Sequence, residues 1–424
     1  MFKTWKITDS IFGLLRNPAR TLLKQPIRQR HPLMFYLFHV NSFAVSQLQH
    51  QVPSLRVHDR WDKLFVRGID PHVDKDTCHT HSCPRDFEDW PSLEEALWYR
   101  DEVRARMREI FRSGLVTPWL LIKEHEMLHQ ETLLYMMTKL PLEDLKCGTP
   151  KLDRRGSRVS LPDCHVAGGW AEMGADPAKG FVWDNEVGEI KVKVAPFEMQ
   201  ALPLTNLDYY AYLKLTGLEQ LPQQWSEKEG KIKVRELLTE YDLADRLHHP
   251  VLLSHEEAQR CLTDLGMTLL TEAEWTLAAK EHWPSKRHPK LAKHTQNFDF
   301  ARLELVPSIC TPRRSGAHDM VGNGWEWTLS QFEPFPNYWN SHPTYKDFSS
   351  DFMRSLNPES APHMVLKGAS WATRSDLVRP SFRNFFQPNY PHVLSKARGR
   401  KVAGADDSLR KEVELFKSKH HLQA

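Results

Sequence analysis

Hydrophobic spacing switches from a helical to a strand-like period near Cys147, and a chain with that switch builds two different kinds of layer. Before it, Asp89-Trp90-Pro91-Ser92 leads into a stripe of Ala96, Val103, Met107 and Ile110, spaced for an amphipathic helix. The spacing predicts a second helix over residues 117–138, closed by Pro141, and an earlier one over 32–50. Long helices with short links make a bundle. After the switch, Ile190, Val192 and Val194 alternate with Glu189, Lys191 and Lys193, the pattern of a half-buried strand. Helical signals become few there, with 254–265 and 271–281 the best. The expected class is α+β: a helical bundle over residues 1–147, a linker over 148–165, a mixed domain over 166–402 and a charged tail over 403–424.

Composition limits the partners. Hydrophobic residues are 40% and charged residues 26%, as in a globular protein, and the net charge of +3 comes from dispersed residues. No nucleic-acid partner is expected. No run of 18 apolar residues exists, so no membrane span is expected. Six cysteines in so long a chain do not make a disulfide scaffold. The cytoplasm is the expected location, although residues 1–30 are basic and acid-poor, as in a mitochondrial address.

His125-Glu126-Met127-Leu128-His129 carries the strongest chemical signal. Histidines at i and i+4 stand one turn apart on one helix face, so both imidazoles reach one metal ion. The competing reading is two histidines on a solvated face. His39 lies in the apolar run Phe35-Tyr36-Leu37-Phe38-His39-Val40, where a buried imidazole needs a polar partner. A bundle brings it opposite the other two, and three imidazoles with open positions suit iron(II), copper or zinc. The cluster Cys78-His79-Thr80-His81-Ser82-Cys83 is too compressed for a zinc ribbon and reads as a polar loop.

Five blocks after Cys147 carry a family resemblance: Trp170-Ala-Glu-Met-Gly174 to Met199, Leu204-Thr205-Asn206, Leu270 to Trp275, Val321-Gly322-Asn323-Gly324-Trp325-Glu326-Trp327-Thr328, and Lys367-Gly368-Ala369-Ser370-Trp371. The series resembles the formylglycine-generating-enzyme domain, a variant of the C-type-lectin fold. Joined to a DinB-like bundle with a distant His plus His-x-x-x-His, it resembles the iron(II)-dependent sulfoxide synthases of ergothioneine and ovothiol biosynthesis. Phe65 to Pro71 and Asn384-Phe385-Phe386-Gln387-Pro388-Asn389-Tyr390-Pro391 look like the eukaryotic ergothioneine type.

The resemblance implies His39, His125 and His129 as ligands of Fe(2+), with hercynine, cysteine or γ-glutamylcysteine, and O2 as substrates. It also implies Tyr345 as a catalytic tyrosine, and Asn384 with Phe385 as the pocket for a trimethylated histidine. Aromatic faces suit a quaternary ammonium, which adds Tyr390 as a candidate. Several positions depart from the family pattern: Gly324 stands for a branched residue, Ala369 and Phe38 for glycines, and His392 and Leu394-Ser395-Lys396 for Tyr and Trp-Ala-Gly. No cysteine follows Trp371, which excludes formylglycine generation itself. Open alternatives are an ovothiol-type histidine–cysteine sulfoxide synthase and a lectin-like binding module without turnover.

Overall fold

The computed structural model describes residues 1–66, 90–114, 118–146, 161–283, 294–308, 316–350 and 352–420. The Arg67–Pro71 stretch, the Cys78–Cys83 loop, Cys147, Cys310 and all but the last residues of the expected linker lie outside them. The chain divides into two compact units, Met1–Gly148 and Thr149–Ala424.

The first unit is helical. Its long elements are α1 (Phe2–Phe12), α2 (Leu33–Gln49), α3 (Leu93–Arg112) and α4 (Trp119–Met137). Ser92 starts α3 through a capping box: its hydroxyl accepts from Glu95 N–H at 3.2 Å while Glu95 Oε2 accepts from Ser92 N–H at 2.7 Å. Helix α2 is apolar nearly all round and buried from Leu33 to Val45, so it forms the centre of the unit and packs on α3 and α4. Phe38 is fully buried, its ring stacked 4.4 Å from Phe65 and 5.5 Å from Tyr99. The aromatic ring that departs from the family glycine is therefore core. Helix α1 packs on α4, where Gln130 Nε2 donates to Thr4 O at 3.1 Å and to Thr8 Oγ1 at 2.9 Å.

The second unit mixes short strands and helices. Strands β1 (Cys164–Val166), β2 (Gly169–Met173), β3 (Ile190–Val194) and β4 (Phe197–Met199) precede helix α5 (Asn206–Thr216). Then come β5 (Trp225–Lys228), β6 (Lys231–Arg235), β7 (Glu240–Asp242), α6 (His255–Asp264), β8 (Met267–Leu269) and α7 (Glu272–Ala278). The last elements are β9 (Trp325–Gln331), β10 (Met364–Lys367), β11 (Asn384–Phe386), β12 (Ser395–Lys396), β13 (Gly399–Lys401) and α8 (Ser408–His420). Two four-stranded sheets run β1-β4-β13-β8 and β11-β10-β9-β12, beside a β2-β3 hairpin and a β5-β6-β7 meander. β3 exposes Lys191 and Lys193, as its alternation predicts. Strand β1 begins inside the span expected to be linker, because Cys164 pairs with Met199 of β4.

Tryptophans and buried charges hold the second core together. Trp275 is fully buried among Ala171, Phe197, Met199, Met320 and Val321, and its Nε1–H donates to Glu326 Oε2 at 2.8 Å. Trp327 donates to Leu253 O at 2.9 Å. The charged C-terminal stretch forms α8, which buries Val413 and packs on α5 through a 2.6 Å contact between Lys417 and Asp208 and the Phe416 ring 6.2 Å from Tyr210.

Candidate metal centre

Helical spacing and core burial together assemble the triad. His125 and His129 are one turn apart on α4, and α2 presents His39 to them. Their ring centroids are 5.0 Å (His39–His125), 4.6 Å (His39–His129) and 4.6 Å (His125–His129) apart. One nitrogen from each lies within 4.8 Å of the other two. His39 Nε2 and His129 Nε2 are 3.0 Å apart, the separation of two neighbouring ligands on one ion with bonds near 2.1 Å.

The surroundings prepare these rings for a metal. His39 Nδ1–H donates to Phe65 O at 2.8 Å, which fixes the tautomer and turns the bare Nε2 inward. His129 Nδ1 is buried with no hydrogen-bond partner among the described residues. Burial lowers His39 to about 4 despite the Phe65 carbonyl, and lowers His125 and His129 well below the ordinary value. All three are therefore neutral donors at neutral pH, the form a cation binds.

Glu126 does not face this site as the glutamate of a protease motif would. Its Oε1 accepts from Thr8 on α1 at 2.5 Å, and burial pushes its carboxyl up to about 7. Two aromatic walls were not singled out from sequence. Phe43 stacks on His125 at 3.5 Å and 12°, and Phe35 stacks on His39 at 5.1 Å and 17°. Both stand four residues from His39 on α2, so the i±4 rule carries the signal.

The remaining candidates lie in the second unit. Asn384 and Phe385 are consecutive in β11 and point to opposite faces. Asn384 Oδ1 accepts from Phe385 N at 3.0 Å. Phe385 stacks on Phe332 at 4.1 Å and 12°, near Phe348 and Phe352. The ring that shares Asn384's face is Phe386, stacked on buried Tyr390 at 5.4 Å and 5°. Tyr345 is half-buried, 5.7 Å from Phe348 and 6.3 Å from Trp183. Trp183 in turn stacks on Phe348 at 4.1 Å, and buried Asp184 accepts from Ser349 Oγ at 2.6 Å and Tyr338 OH at 3.2 Å. The structure thus joins His39, His125 and His129 in one cluster; in the second unit Tyr345 and Phe385 both border Phe348, while Asn384 lies on the opposite face of β11.

Known proteins resemble the chain on both sides of the unit boundary. The family described as "Sulfatase-modifying factor enzyme 1-like domain" matches residues 157–394. "Ergothioneine biosynthesis protein 1" of Neurospora crassa is 27% identical over 90% of this chain and 55% of its own length. The protein of that name from Schizosaccharomyces pombe is 26% identical over 87% of this chain and 51% of its own. "Hercynine oxygenase" of Mycolicibacterium smegmatis is 26% identical over 66% of this chain and 70% of its own. Coverage of 90% necessarily reaches into the helical unit. The chain spans about half the length of the two fungal relatives it matches.

Proposed function

The chain belongs to the sulfatase-modifying factor enzyme 1-like family, and on that premise we propose that it is a non-haem iron(II), O2-dependent sulfoxide synthase of ergothioneine biosynthesis. It joins hercynine to cysteine, or to γ-glutamylcysteine, as hercynylcysteine sulfoxide. The observation that carries this reading is the buried triad of His39, His125 and His129, in a chain whose relatives are named for ergothioneine biosynthesis and for hercynine oxygenation. The helical unit is read as the DinB-like bundle of this architecture, and the location as cytoplasmic.

Three neutral imidazoles leave further positions open on a bound ion, unlike the closed tetrahedron of structural zinc, and the choice of iron(II) rests on the likeness to proteins named for hercynine oxygenation. Bound iron(II) supplies the one-electron chemistry by which O2 reacts with a closed-shell thiolate. The protein's share is to orient and to exclude. The Phe65 carbonyl holds His39 in one tautomer, and the stacked rings of Phe35 and Phe43 hold the planes of His39 and His125.

Asn384 and the aromatic residues that follow it are read as the pocket for the trimethylammonium group, with Phe386 and Tyr390 on the amide's face. Tyr345 is read as the proton or electron donor. Cysteine is the preferred thiol, as the likeness to the eukaryotic type implies. The test is iron content together with O2 consumption on mixing hercynine and cysteine. Stoichiometric iron and thiol-dependent O2 uptake support the reading. An iron-loaded protein inert toward both thiols favours the lectin-like binding module, and turnover of histidine in place of hercynine favours the ovothiol type.

A further inference from the structure

Lys396, at the end of β12, has none of its side chain exposed. Its ammonium donates to the carbonyl of Asp319 and, at 3.1 Å, to that of Gly322. It also lies 3.1 Å from Asp319 Oδ2 and 3.8 Å from Glu326 Oε1. Two carbonyls and two carboxylates form the oxygen set that ordinarily surrounds a hard metal cation. Here the cation is covalently part of the chain.

The loop that supplies those oxygens is bent tightly round the ammonium. Asp319, Gly322 and Asn323 have φ of 56°, 90° and 66°. A Cβ on Gly322 would meet Gln296 O at 1.8 Å, so only glycine fits there. Asn323 Nδ2 donates to Asp319 Oδ2 at 3.2 Å, and Ser308 Oγ donates to it at 3.3 Å. Glu326 is shared with Arg398, whose Nη2 stands 2.9 Å from its Oε1. Two buried carboxylates therefore face two buried cations, and removing either cation leaves a charge uncompensated.

Gly324 needs a different explanation from Gly322, because its φ is not left-handed. A Cβ at Gly324 would stand 3.4 Å from Lys396 Cδ and 3.5 Å from its Cγ. The further carbons of a branched side chain would have to enter the space that the lysine stem fills. Gly324 and Lys396 are two of the positions that depart from the family pattern, and here they touch.

We infer that Gly324 and Lys396 are one coupled device: the lysine is the built-in cation of the 319–326 loop, the glycine makes room for its stem, and this loop binds no metal ion of its own. The test uses the full chain stripped of metal, with calcium chloride as the probe, since calcium favours oxygen cages over imidazoles. Wild-type thermal unfolding stays unchanged by millimolar Ca²⁺, and equilibrium dialysis finds no bound calcium. Lys396→Ala lowers the Tm by about 10 °C, the effect of stranding a buried carboxylate. It also gains calcium binding, and calcium restores part of the loss. Lys396→Met, which fills the cage with an apolar stem, loses stability without recovering it in calcium.

Gly324→Val destabilises the wild type more than it destabilises Lys396→Ala, the signature of contact between the two positions. Stoichiometric calcium on the wild type, or a Lys396→Met variant as stable as the wild type, would overturn the built-in cation. Additive effects of Gly324→Val and Lys396→Ala would overturn the coupling. Should Lys396→Ala fail to fold, Lys396→Met and wild-type dialysis still decide the first point, and Gly324→Val in the Lys396→Met background decides the second.

Discussion

Replacing Phe43 by leucine separates the metal ligands from the wall that holds them. The Phe43 ring lies parallel to His125 at 3.5 Å and is 2% exposed, so the imidazole has one close aromatic face fixing its rotation. Leucine keeps the site apolar but is not flat. The swap costs about 1–1.5 kcal/mol in packing and about 0.5–1.5 kcal/mol for the lost ring pair. A total near 2 kcal/mol lowers the Tm by roughly 4–8 °C at this domain size. None of the three ligands is touched, yet loosening a support around a ligand commonly lowers metal affinity by about 10–100-fold. Competition between the protein and a chelator of known iron affinity measures the second effect, and thermal unfolding of the metal-free protein measures the first. Iron affinity equal to wild type, alongside the expected loss of Tm, would refute the claim that the stacked ring orients His125.

Three further outcomes are expected. His125→Ala and His129→Ala each abolish iron binding while circular dichroism reports an intact fold; stoichiometric iron in either purified variant refutes the triad. In the second unit, burial lowers His255 to about 4, and its Nε2 lies 3.1 Å from Thr328 O. The unfolded chain then binds the extra proton first, so the stability due to neutral His255 is complete above about pH 6.5 and is lost as pH falls toward 4, by roughly 3 kcal/mol. His255→Gln should flatten that part of the denaturation midpoint's pH profile, and an unchanged slope contradicts it. Finally, hercynine should be preferred to histidine by about 10–200-fold in kcat/KM, the usual yield of a pocket that sorts a few methyl groups; equal turnover removes the aromatic-cage argument.

The long helices were legible in advance. Residues 32–50 and 117–138 read as helices because each is a long, largely apolar run between prolines, and they fold as Leu33–Gln49 and Trp119–Met137. The pair His125 and His129 was visible from its i, i+4 spacing, and His39 because an imidazole is conspicuous inside an apolar run. Asn384 and Phe385 show the opposite case. A three-residue strand is too short to display a period of two, so nothing in the sequence said that these neighbours face away from each other. The contacts of Lys396 were equally hidden, since Asp319, Gly322 and Glu326 lie some seventy residues from it and only the folded chain brings them within reach. Helix α8 looked like a charged tail because its docking contacts are scattered through a charged stretch: buried Val413, the Phe416 ring near Tyr210, and the ion pairs of Lys417 with Asp208 and Arg410 with Asp163.

The acceptor that aims His39 is a main-chain oxygen, and this has a consequence for inheritance. A codon change at position 65 alters the side chain but leaves its carbonyl in place, so the orientation of the ligand is sheltered from direct mutation. It is exposed instead to whatever moves the short helical turn Trp61–Leu64 that leads into Phe65. Asp62 of that turn accepts from Tyr99 OH at 2.7 Å and from Val57 N at 3.0 Å. Variants that impair the metal centre without altering any ligand should therefore gather at Tyr99 and Asp62, and at residue 65 should be confined to changes that empty the space its buried ring fills against Phe38.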